Sequence, residues 1–228
     1  MSLGSMGAER TDIAAVMFDF GGVIADGPFE AFARYERSNG LPDGFVRGLN
    51  ATNHHDNAWA RLERNEVGFD EFCDLFEAEA AAAGGGLDAR ELMASLSGTM
   101  RPEMVEAVRR CADRFSTALL TNNFLRPDTV PGSADAARSA GMTAEMDEVL
   151  GLFDVVVESS RVGVRKPDPR FYMLACEALR IEPSQAVFLD DLGVNLKPAR
   201  ELGMLTIKVE SADSALAELE SVLGLPLR

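Results

Sequence analysis

Three short apolar runs in this chain stop abruptly on polar residues. Ile13 to Phe18 halts at Asp19 and the Gly21–Gly22 pair, Thr117 to Leu120 at Thr121 and Asn122, and Ala186 to Leu189 at Asp190 and Asp191. Runs this short, rich in branched and small residues and closed by turn residues, have the pattern of parallel strands buried on both faces. Phe153 to Val157 and Leu205 to Val209 fit the same description. Helical periodicity fills the gaps between them, over Pro102–Asp113, Ser133–Leu150, Pro169–Arg180, Val194–Leu202 and Ser211–Leu223. Strands alternating with helices predict an α/β fold, a three-layer, Rossmann-like parallel sheet covered on both sides.

Between the first and second strands the period changes. Phe29, Phe32 and Ala33, then Trp59 and Leu62, then Phe69, Phe72, Leu75 and Phe76 recur at three- and four-residue steps, the spacing of amphipathic helices. The expectation is an all-helical insertion that caps the C-terminal edge of the sheet. It divides the chain into a core of residues 11–27 and 98–228 and a cap domain of residues 28–97. The low-complexity run from Glu79 to Asp88 ends one cap helix at its glycines and opens the next. The first ten residues, with possible starts at Met1 and Met6, carry no fold signal.

Composition narrows the chemistry. With 22 Lys+Arg against 37 Asp+Glu the formal charge is −15, which repels phosphate backbones and anionic lipid heads and argues against nucleic-acid and membrane partners. No apolar stretch has the length of a bilayer span or the form of a secretory signal, so the expected location is cytoplasmic. Cys73, Cys111 and Cys176 are widely spaced and read as buried, reduced thiols. The two histidines, His54 and His55, are adjacent, which excludes a multi-histidine metal site. GxSxG, P-loop and GxGxxG patterns are absent. An enzyme built from this chain works with carboxylates, lysine, hydroxyls and a hard cation.

Ligands of open parallel sheets bind beyond the carboxyl ends of the strands, where Asp19, Thr121, Asn122, Asp190 and Asp191 fall. If the first and fourth strands are neighbours, three carboxylates crowd one small volume and call for a cation between them. Oxygen donors favour Mg²⁺. The chain has three lysines. Lys166 lies in the Pro-flanked loop GVRKPDP, from which an ammonium can reach the carboxylates and an incoming phosphate; Lys197 and Lys208 read as surface residues.

The segments FDFGGV, LLTNN, VGVRKPDP and FLDDLGVN resemble, in order, the four motifs of the haloacid dehalogenase superfamily of hydrolases. The C-terminal stretch is particularly similar to the N-terminal phosphatase domain of bifunctional soluble epoxide hydrolases and to hydrolase domains fused to some acyl-CoA dehydrogenases. The resemblance implies a Mg²⁺-dependent phosphomonoesterase with a helical cap, acting on a small phosphorylated metabolite. Asp19 would be the nucleophile that forms an aspartyl-phosphate. Thr121 and Asn122 would hold phosphoryl oxygens, and Lys166 would neutralise charge there and orient Asp19. Asp19, Asp191 and the carbonyl of Gly21 would bind Mg²⁺, with Asp190 and Asn195 supporting them from behind.

One position departs from the pattern. Phosphatases of the superfamily usually carry DxDx[TV] in the first motif, and here the second aspartate, the proton donor to the leaving alcohol, is Gly21. General acid–base catalysis is worth about 10²–10⁴-fold, so a slow enzyme that prefers good leaving groups is expected. Asp26 and the His54–His55 pair are the nearest spare proton carriers; they read more simply as a loop carboxylate and a solvated pair. Arg34, Arg61 and Arg64 are equally well explained by surface ion pairing. Two other functions fit the motifs: a hydrolytic dehalogenase acting through an aspartyl ester at Asp19, and a non-catalytic module that binds a phosphorylated ligand. No feature of the sequence specifies an oligomeric state.

Overall fold

The computed structural model describes residues 12–96, 98–124 and 146–228. Five strands form one parallel sheet: β1 (Ala15–Phe18), β2 (Ser116–Thr121), β3 (Val155–Glu158), β4 (Ala186–Asp190) and β5 (Leu205–Lys208). Their order is β3-β2-β1-β4-β5, so β1 lies at the centre between β2 and β4. The chain first builds outward on one side of β1 and then crosses to the other. That reversal is the switch point at which ligands bind in such sheets.

Period-two alternation sorts the strand side chains onto two faces. Val16, Phe18, Leu119, Val187 and Leu189 pack with α6 (Pro102–Ala112) and the final helix, Ala212–Leu223. Met17, Ala118, Leu120 and Phe188 pack on the other face with helices Pro169–Leu179 and Gly193–Glu201. In chain order after α6 these helices are α7 (Ser159–Val162), α8 (Pro169–Leu179), α9 (Gly193–Glu201) and α10 (Ala212–Leu223). The result is the expected three-layer α/β architecture.

Two strands start later than their apolar runs. The register sets Ala15 opposite Ser116 and Ala186, so Ile13 packs on the core from outside the ladder. Likewise Val155 pairs with Ala118, and Phe153 instead sets its ring edge-on to Phe18 at 6.2 Å. Residues 146–150 are helical; the rest of the helix expected over Ser133–Leu150, and the first eleven residues, lie outside the described residues. Cys73, Cys111 and Cys176 are free and buried. Among the described residues no helix is long and apolar enough to cross a membrane.

Between β1 and α6 the described chain forms five helices, α1 (Phe29–Ser38), α2 (Phe45–Ala51), α3 (Ala58–Glu63), α4 (Phe69–Ala82) and α5 (Ala89–Ser95). They close around their own cluster of Phe32, Tyr35, Trp59, Phe72, Phe76 and Leu92, separate from both sheet-face clusters. Trp59 sets its indole edge-on to Phe32 at 5.6 Å and against Phe72 and Phe76 at 5.8 Å. Burying each such side chain is worth roughly 1.5–3 kcal/mol, so the insert has an apolar core of its own. Asn57 caps α3 by accepting from Ala60 N–H at 2.8 Å, and Asp88 caps α5 by accepting from Glu91 N–H at 2.9 Å. Exit and return run side by side: Asp26 N–H donates to Thr99 O and Arg101 N–H to Ile24 O.

Candidate active site

The strand ends meet as the topology requires. Because β1 and β4 are hydrogen-bonded neighbours, Asp19 stands next to Asp190 and Asp191, and each of the three offers a carboxylate oxygen within 4.8 Å of the others. Lys166 rises between them from the loop after α7: its Nζ lies 2.7 Å from Asp19 Oδ1 and 2.8 Å from Asp190 Oδ2. The lysine is 1% exposed and Asp190 fully buried. Buried charges persist only when paired, and this ammonium is paired twice.

Each group has a distinct set of partners. Asp19 Oδ1 accepts from Phe20 N–H at 2.6 Å as well as from Lys166, so among the described residues both contacts fall on Oδ1. Asp190 accepts from Lys166, from Leu192 N–H and from Asn195 Nδ2. Asn195 is held in turn by Tyr172, whose hydroxyl donates to its carbonyl at 2.6 Å. Burial drives the Asp19 carboxyl upward, with Lys166 opposing and Asp190 and Asp191 adding to the shift. Burial, reinforced by the charge of Asp190, pushes Asp191 up to about 6. Burial opposes the Lys166 charge, yet Asp19 and Asp190 outweigh it and hold the ammonium above the ordinary lysine range.

A cavity of about 450 Å³ opens above this cluster. Its floor includes Asp19, Gly21, Thr121, Asn122, Lys166 and Asp191, and its roof Phe29, Phe32, Arg47, Trp59 and Glu63 from the insert. The Asn122 amide is engaged with the Lys166 backbone, donating to Lys166 O at 3.1 Å and accepting from Lys166 N–H at 2.9 Å. Its side chain therefore fixes the lysine loop, and the residue itself lines the cavity. Thr121 lines the cavity as expected from its strand end.

Several residues of the site carried no distinguishing signal. Gly22 has φ +82°, and a Cβ there would stand 2.4 Å from Asp191 Oδ2, so only glycine lets that carboxylate approach. Asn123, beside the expected pair, ties β2 to β3 by donating to Glu158 Oε1 at 2.7 Å and accepting from Ser160 Oγ at 2.8 Å. Arg47 and Arg165 line the cavity. Arg61 and Arg64 form ion pairs with Glu71 and Glu66. Asp26 lies 3.5 Å from Arg101. His54 lines the cavity, whereas His55 borders a separate, polar pocket. Lys197 and Lys208 form exposed pairs with Glu201 and Glu210.

The donor set suits a hard cation. Three carboxylates meet beside a glycine that leaves room for one of them, and burial, reinforced by their mutual repulsion, disfavours the charged forms of Asp19 and Asp191. Oxygen ligands in this number match Mg²⁺ better than softer metals.

Known proteins share this plan. A family model described as haloacid dehalogenase-like hydrolase matches residues 13–203. The pig bifunctional epoxide hydrolase 2 is 34% identical over 227 residues, covering 94% of this chain; the match spans 40% of that protein's length. Validoxylamine A 7'-phosphate phosphatase of Streptomyces hygroscopicus subsp. limoneus is 31% identical over 77% of this chain and 87% of its own. Among solved structures, a haloacid dehalogenase-type enzyme of Bacteroides thetaiotaomicron, in complex with magnesium and inorganic phosphate, superposes with a TM-score of 0.58. It covers 86% of this chain and 93% of its own at 16% identity.

Proposed function

The chain belongs to the haloacid dehalogenase-like hydrolase family, and from that premise we propose that it is a Mg²⁺-dependent phosphomonoesterase acting on a small phosphorylated metabolite. The single observation that carries the reading is the Lys166 ammonium held between Asp19 and Asp190, beside Asp191, on the floor of the cavity. A nucleophilic carboxylate, a fixed cation and a metal-competent carboxylate within one small volume are the parts that phosphoryl transfer requires.

In this reading Asp19 attacks phosphorus in line with Oδ2 while Phe20 N–H and Lys166 hold Oδ1. The P–O bond to the leaving group breaks and an aspartyl-phosphate forms, which water then hydrolyses. Thr121 hydroxyl and Lys166 bind the transferred oxygens, and Asn122 acts through the Lys166 backbone. Asp19, Asp191 and the Gly21 carbonyl would hold Mg²⁺, which would supply charge neutralisation at the phosphoryl group. Asp190 and Asn195 keep Lys166 in place. With no carboxylate at position 21 the leaving oxygen departs as an anion, which favours aryl and acyl phosphates over alkyl ones. The five-helix insert acts as a cap, residues 28–97, and the remaining described chain as the core.

The experiment is hydrolysis of p-nitrophenyl phosphate by the wild type and Asp19→Asn, with Mg²⁺ or EDTA. Turnover that needs Mg²⁺ and falls on the order of 10³-fold or more in Asp19→Asn is expected. Full activity in Asp19→Asn would remove the nucleophile assignment. Halide release from 2-chloropropionate that is indifferent to EDTA would select a dehalogenase, and phosphate binding without turnover a non-catalytic module.

A further inference from the structure

Arg165 precedes Lys166 in the loop and turns the opposite way, into the insert. Its Nε donates to Glu63 Oε2 at 2.6 Å, and its Nη1 donates to the carbonyl of His54 at 2.8 Å. The other oxygen of Glu63 accepts from Trp59 Nε1 at 2.9 Å. A guanidinium, a carboxylate and an indole thus form one chain from the loop of Lys166 to the roof of the cavity. The pair is largely withdrawn from water, with side-chain exposures of 19% for Arg165 and 9% for Glu63.

A buried ion pair contributes little net stability once desolvation is counted, and its best-attested use is to specify one arrangement over others. The second anchor is rigid as well. Asn57 locks the turn that carries His54 by donating to Asn50 O at 3.0 Å and Thr52 O at 2.9 Å. All of Trp59, Glu63, His54 and Arg165 line the cavity, so a change in this chain is a change in the shape of the site.

We propose that Arg165 is a positioning residue that clasps the insert over Asp19, through Glu63 and the His54 carbonyl, and that the clasp sets the wall formed by Trp59. Neighbouring residues divide the work: Lys166 holds the carboxylates of the floor and Arg165 holds the roof. A substrate large enough to touch the roof depends on the clasp, whereas a compact one needs only the floor. The kinetic consequence rests on the phosphatase reading; the spectroscopic one does not, because Trp59 is the single tryptophan of the chain and its emission reports on the wall directly.

The test compares the wild type with Arg165→Met, Arg165→Lys, Glu63→Gln and the double variant Glu63→Gln/Arg165→Met. Acrylamide quenching of Trp59 is measured together with kcat and KM for p-nitrophenyl phosphate and acetyl phosphate. In Arg165→Met the quenching constant should rise about twofold or more and KM for p-nitrophenyl phosphate on the order of tenfold, with acetyl phosphate much less affected. Arg165→Lys should restore part of both effects, and the double variant should be little worse than Arg165→Met alone, because the two residues act as a unit. Unchanged quenching together with equal losses on both substrates would overturn the clasp and leave Arg165 as a brace of the Lys166 loop. If Arg165→Met does not fold, Arg165→Lys and Glu63→Gln decide, and wild-type quenching in both overturns the proposal. Should no protein in the set hydrolyse either substrate, the phosphatase reading fails while quenching still decides the clasp.

Discussion

Gly21 and Gly22 are adjacent and opposite in kind. A Cβ at position 21 meets nothing within 4 Å, and its φ lies outside the left-handed region. At position 22 the backbone is left-handed and a Cβ would collide with Asp191. The first glycine can therefore receive the missing acid and the second cannot be replaced. Gly21→Asp is expected to raise kcat for an alkyl phosphate such as glycerol phosphate on the order of 10²-fold, with little change for p-nitrophenyl phosphate, whose leaving group needs no proton. Steady-state assays on both substrates check this; a gain of equal size on each would show that proton donation is not what the wild type lacks. The two glycines look alike in the sequence, because what distinguishes them is the position of a carboxylate from another strand.

At the scale of elements, α2 brings Arg47 and Asn50 to the cavity although it is a seven-residue helix that starts at a left-handed glycine and has no side-chain cap of its own. Glu36 of α1 supplies the missing partner. One of its oxygens accepts from Gly44 N–H and the other from Val46 N–H, both at 2.8 Å, and the residue is 1% exposed. A carboxylate at a helix start satisfies orphan donors and complements the dipole. Glu36→Ala removes two charge-assisted bonds and should cost about 2–4 kcal/mol. In a chain of this size that corresponds to a fall in Tm of roughly 5–12 °C. Calorimetry would measure it, and an unaltered Tm would mean that packing alone holds α2. The strands and the helices on the sheet were legible because their burial repeats within a few residues. Glu36 was not, since a charged residue on an amphipathic helix reads as solvated until the start of another helix is known to lie beneath it.

For the molecule as a whole, the acidic cluster is a source of instability that a bound cation would relieve. Asp191 keeps its proton up to about 6 in the fold, against 3.8 for an ordinary aspartate. The folded state then binds more protons between those values, so this group makes the metal-free protein lose stability as pH rises across that window. A cation that coordinates the ionised carboxylate reverses the penalty. Millimolar Mg²⁺ should therefore raise Tm clearly at pH 7.5 and much less at pH 5, where protons compete for the same oxygens. Thermal scans with Mg²⁺ or EDTA at the two pH values test it, and an equal rise at both would place the bound ion away from Asp191. Local chemistry settled much of this protein in advance: alternation of strand and helix, and the loading of strand ends with Asp19, Thr121, Asp190 and Asp191, follow from burial period and turn residues that act over a few positions. Only tertiary structure decided that β1 lies beside β4, that Asn122 spends its amide on the Lys166 backbone, and that Arg165 reaches into the insert. Those outcomes depend on distances between residues far apart in the chain, and such distances exist only once the sheet and the insert have packed.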